Sequence, residues 1–168
     1  MAVDYDPIKA HEYYMKHRQL KGNRSTKGFN DTQKEQLAYA KDQLKNEYKE
    51  RRMQISETAT EQKAFVSEQI AAQKERLSEQ TKAQVEALKA QLKSQLKNMP
   101  KEQKAALREK INGMIGKLRE GLKIDKESLS ETGKETKAAI SENAKAAKEQ
   151  AKADYEAGID AAYDKIRG

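Results

Sequence analysis

The sequence predicts an all-α protein organised around one long helix with an eleven-residue, hendecad-type coiled-coil repeat. A short N-terminal helix precedes it and one or two C-terminal helices follow. Three observations carry this. Steps of eleven pass through Leu44, Ile55, Val66, Leu77, Leu88 and Met99, all apolar. A second register passes through Leu37, Tyr48, Ala59, Ile70, Thr81 and Leu92, with threonine as its one lapse, while Glu, Lys and Gln fill most of the space between. Finally, no Gly or Pro interrupts residues 32–99. Eleven residues make about three turns plus 20°, so the apolar positions form a slowly drifting stripe, straight or slightly right-handed in its supercoil. At about 1.5 Å per residue the helix would be about 100 Å long. Such a stripe needs a second helix, from the same chain, a copy or a partner.

The first segment, 1–31, opens with Asp6 as an N-cap and Pro7 at the first helical position, and Gly22 suits the residue past a helix end. A short helix of about four turns is expected between them. Tyr13, Tyr14, Met15 and Leu20 are its anchoring side chains, either against the long helix or a neighbouring subunit, or as a docking site for a partner. His11 and His17 are six residues apart, about 120° round a helix, and do not converge as metal ligands would. After them comes a loop rich in Gly, Ser and Asn. From Lys16 to Lys27 there are basic residues at Lys16, Arg18, Lys21, Arg24 and Lys27 and no acidic one. This is the strongest local charge bias in the chain and the candidate for anion or nucleic-acid contact. It lacks the spacing of a phosphate-binding P-loop.

Asn30 or Asp31 then caps the long helix, 32–99, with Gln33 and Glu35 in its first turn. Met99-Pro100 ends or bends it, because proline disfavours helical geometry in the residue before it. Pro100 begins a second helix, 100–124, whose apolar face is Leu107, Ile111, Met114 or Ile115, Leu118 and Leu122. Gly113, Gly116 and Gly121 weaken it and mark either close approach to a facing helix or flexibility. Asp125 and the Ser128-x-x-Glu131 pattern offer a restart, so an alanine-rich C-terminal helix is placed at 125–168. An eleven-step in a shifted register crosses that boundary through Leu107, Leu118, Leu129, Ile140, Ala151 and Ala162. Tyr155, Ile159, Tyr163 and Ile166 form an anchoring patch near the end.

Composition narrows the function classes. Only 36% of the 168 residues are hydrophobic, many of them alanine, so a large globular core with a deep pocket is not expected. There is no cysteine, which excludes disulfides, thiolate metal sites and a cysteine nucleophile. No catalytic constellation is readable, and neither enzymatic activity nor a cofactor is expected. The N-terminus lacks the apolar core of a signal peptide and no window is apolar enough for a membrane span, so a protein that is not secreted and not in a membrane is expected. The net charge of +7 lies mainly in 32–124 and the last stretch is slightly acidic, a modest bias toward anionic partners.

Two stretches carry a family resemblance. Tyr13-Tyr14-Met15-Lys16-His17-Arg18-Gln19-Leu20-Lys21-Gly22 followed by Ser25-Thr26-Lys27-Gly28-Phe29-Asn30 resembles the start of small helical proteins from the structural gene clusters of tailed bacteriophages and prophages of Gram-positive bacteria. Met99-Pro100-Lys101-Glu102-Gln103-Lys104-Ala105-Ala106-Leu107-Arg108 is similar to their mid-chain stretch, and the ending Tyr163-Asp164-Lys165-Ile166 has no counterpart. The resemblance implies a virion or assembly context, in the host cytoplasm during assembly or in the particle, and supplies no active site. The combined expectation is a homo-oligomeric virion or assembly protein, head-associated, internal or scaffold-like. It would self-associate through the stripe and dock through its N-terminal module on capsid, portal or DNA. The alternative is a nucleic-acid-binding or host-directed regulatory phage protein that the coil merely dimerises.

Overall fold

The computed structural model describes Lys9 and residues 24–168; the expected short helix with its anchors, and both histidines, lie outside the described residues. The described chain is all-α, with two long helices: α1, Asp31–Leu96, and α2, Lys101–Arg167. α1 starts and stops close to where its capping signals put it. Asn30 and Gln33 form a reciprocal cap: the Asn30 amide donates to Gln33 Oε1 at 2.9 Å and the Gln33 amide to Asn30 Oδ1 at 2.8 Å. Two of the orphan donors of the first turn are thereby satisfied. At the other end the helix stops three residues short of Met99, and the Pro100 carbonyl accepts the first bonds of α2 from Gln103 and Lys104 at 3.0 and 3.2 Å.

α2 corrects the expected division at 124/125, because one helix runs from Lys101 to Arg167. Ser128 does not cap a new helix. Its carbonyl accepts from Thr132 Oγ1 at 3.0 Å, and Thr136 Oγ1 does the same to the Thr132 carbonyl at 2.8 Å. A hydroxyl bonded back to the carbonyl four residues earlier is satisfied without leaving the helix. No proline forces a break, and Leu107, Leu118, Leu129, Ile140, Ala151 and Ala162 are all half-buried or buried along the one helix.

The residues group into two units, one of 24–63 with 138–168 and one of 64–137. In the second, residues 97–100 reverse the chain and the two helical stretches pack antiparallel. Val85, Ile111 and Ile115 form the buried centre, flanked by Leu88, Leu92, Leu107 and Leu118. Farther from the turn, a Cβ on Gly133 would stand 3.2 Å from Ile70 Cγ1, and Lys74 Nζ donates to Ser130 Oγ. Gly113, Gly116 and Gly121 have open space where a Cβ would be, so they do not mark close approach. That role falls to Gly133 here and Gly158 in the first unit.

In the first unit the helices are again antiparallel. Leu37, Ile159 and Tyr163 are buried together with Phe29, Leu44, Tyr155, Ala162 and Ile166 packed around them. Tyr48 stacks on Tyr155 with centroids 4.9 Å apart, and Arg51 pairs with Asp154 at 2.6 Å. A Cβ on Gly158 would come within 2.9 Å of Leu44 Cδ2, so the glycine is what lets the leucine lie flat on α2.

Candidate docking site

Most side-chain chemistry in the first unit gathers where the loop 24–30 meets the last turns of α2. The loop is shaped by its own residues. Phe29 donates its amide to the Thr26 carbonyl at 3.0 Å, closing a turn in which Gly28 has φ of +89°. A side chain there would be strained, which is why the turn uses glycine. Lys27 donates its amide to Ser25 Oγ at 3.2 Å. The turn delivers Phe29 onto Leu37, Ile159 and Tyr163, so the loop is anchored by an aromatic ring.

Arg24 fixes the upstream end. Its Nε donates to Asp160 Oδ1 at 2.8 Å and its Nη2 to Glu156 Oε2 at 2.6 Å. The two acids are four residues apart and thus neighbours on one side of α2, matched to the guanidinium fork. Hydrogen bonds to Asp160 and then Glu156 raise the Arg24 pKa above its already high ordinary value. At the downstream end Gln33 Nε2 donates to the Ile166 carbonyl at 3.2 Å, and Arg167 Nη2 donates to the Ser25 carbonyl at 3.3 Å. Lys41 Nζ donates to Tyr163 Oη and lies 4.6 Å from the centre of that ring.

The expected site residues divide as follows in the structure: Arg24 pairs with two carboxylates of its own chain, whereas Lys27 is exposed. Lys16, Arg18 and Lys21 lie outside the described residues, as do Tyr13, Tyr14, Met15 and Leu20. Within the stripe, Leu44 packs in the Leu37 cluster and Leu88 in the Val85 cluster, each against α2 of the same chain. Ile55, Val66, Leu77 and Met99 are half-buried. At Leu44 and Leu88 the neighbouring side chains are those of α2 of the same chain.

Sequence reasoning missed Glu156 and Asp160 as the partners of Arg24. Their one signal is the spacing of four that puts them beside each other. Elsewhere, an open groove of about 550 Å³ runs along α2 in the second unit, edged by Arg119, Lys123, Lys126 and Lys134 with Glu127 and Glu131 among them. It lacks the enclosure of a small-molecule site. Among the described residues no His, Asp or Glu group is placed to hold a metal, and no described helix is long and apolar enough to cross a membrane. In comparisons with protein-family models, curated proteins and solved structures, nothing matches this chain.

Proposed function

We propose that this chain is a non-enzymatic helical assembly protein of a tailed-phage particle, head-associated, internal or scaffold-like, whose coiled coil is made within the chain. In this reading the eleven-residue registers of α1 and the shifted register of α2 face each other within each unit. The observation that carries it is that all six stripe residues, and all six of the shifted register, are at least half-buried, while along 32–99 the residues between are mostly polar and mostly exposed. A seam closed in this way leaves protein contacts to outward side chains. Tyr39, Met53 and Phe65 on α1 are 60–66% exposed, and Met114 and Ile124 on α2 are 43 and 57% exposed. Large apolar groups held out on rigid helices suit contact with other proteins better than catalysis. The phage context is supported by the resemblance of the stretches around Tyr13–Asn30 and Met99–Arg108.

The test is to purify particles and their precursors from the phage or prophage that encodes the chain and to search them by mass spectrometry. The protein is expected at a fixed copy number in precursor heads or mature particles. Its confinement to the soluble fraction, with particles forming normally in its absence, would refute the assignment.

A further inference from the structure

The net charge of the chain is concentrated in one stretch. Residues 87–119 hold nine Lys and Arg against two Glu, an excess equal to the +7 of all 168 residues. By contrast, 32–86 holds ten basic and ten acidic residues. The biased stretch contains the turn end of the second unit. Lys89 and Lys93 stand one turn apart near the end of α1, Lys97 follows at the same step in the reversal, and Lys101, Lys104 and Arg108 open α2. All six lie within about two helical turns of the reversal at 97–100. Each is exposed except Lys104, which is half-buried. None of them forms an ion pair with a described carboxylate, and between Glu86 and Glu109 the one acid is Glu102.

The side chains between these cations decide what the surface fits. Gln91, Ser94, Gln95, Asn98 and Gln103 are exposed among them. Such amides and hydroxyls join Lys and Arg in contacts to phosphate oxygens. The large apolar residues of the stretch, Leu88, Leu92, Leu107 and Ile111, are packed with Val85 inside the unit. They are not on hand to enter a bilayer or to form the apolar centre of a protein interface. No aromatic residue lies between Phe65 and Tyr155, so the surface has no ring on which unpaired bases could stack. We propose that the turn end of the second unit binds the phosphate backbone of duplex nucleic acid, without reading its sequence, through Lys89, Lys93, Lys97, Lys101 and Arg108. A duplex carries about one negative charge per 1.7 Å of axis, dense enough to meet all five cations, and the counterions it releases drive the binding. The proposal does not depend on the phage assignment.

Fluorescence anisotropy of a labelled DNA duplex of about 20 base pairs, titrated with the full chain, tests it. Neutralising about five phosphates makes affinity fall several-hundredfold between about 50 mM and about 200 mM salt, a log–log slope of about −4.5, and two unrelated sequences should bind alike. Lys93→Gln, Lys97→Gln and Lys101→Gln together should weaken binding at least about tenfold at the lower salt and reduce the slope by about 3, with circular dichroism unchanged. Lys34→Gln, Lys45→Gln and Lys49→Gln remove the same charge from exposed positions of the first unit and should change affinity less than about threefold. Absence of binding at the lower salt would overturn the proposal. So would binding that the turn variant leaves intact or that both variants weaken equally, and so would tighter binding to a single strand or to vesicles rich in phosphatidylserine.

Discussion

Two glycines and one arginine show how single residues set this packing. Gly116 has open space at its Cβ position, whereas Gly158 faces Leu44 Cδ2 at 2.9 Å. Gly116→Ala should therefore raise stability by up to about 1 kcal/mol through helix propensity alone. Gly158→Ala has the same propensity gain but must push Leu44 off the helix, and overpacking of this kind costs about 1–3 kcal/mol. A net loss of about 1 kcal/mol is expected, and urea melts followed by circular dichroism compare the two. Replacing Arg24 by alanine removes two ion pairs whose groups are partly exposed, so a loss of only about 1 kcal/mol is expected. Because its pKa is raised on folding, the arginine's contribution is fully present below the unfolded arginine value and disappears only as pH climbs beyond it. The Arg24→Ala loss should hence not differ, through the arginine's own titration, between about pH 6 and about pH 9. Added salt should shrink it.

At the scale of the helices, what the sequence made legible was what local chemistry decides. The start of α1 follows from Asn30 and Gln33, and its end from the approach to Pro100. The break expected near Asp125 failed because Ser128 and Asp125 carry capping chemistry that matters only where the chain leaves the helix. No glycine or proline there makes it do so. The helix instead runs unbroken through Leu107, Leu118, Leu129, Ile140, Ala151 and Ala162. The close approaches at Gly133 and Gly158 could not be read, because they depend on which α1 residue stands opposite. The acidic partners of Arg24 were hidden as well, because they depend on where the loop meets α2. Packing within the second unit concentrates on Val85, Ile111 and Ile115, so Ile111→Ala should cost about 2–3 kcal/mol. Met114→Ala, one turn away on the outward side, should cost under about 0.5 kcal/mol, as seen by thermal melts of both variants.

For the molecule as a whole, what decides the architecture is that α2 of the same chain packs on the apolar stripe of α1 in both units. Periodicity established that the stripe needs a partner but held no information on whose helix that is, since a copy and a return helix bury the same side chains. Absence of cysteine makes the question directly testable. In an Ile70→Cys, Gly133→Cys variant the sulfur at 70 would take the place of Cγ1, 3.2 Å from Cβ of residue 133. That separation suits a disulfide with its S–S bond of about 2.05 Å. After mild oxidation a covalent product that migrates as a single chain of 19.1 kDa is expected, with both thiols consumed. A disulfide-linked dimer as the main product would show that the stripe is filled by a second copy and would overturn pairing within the chain.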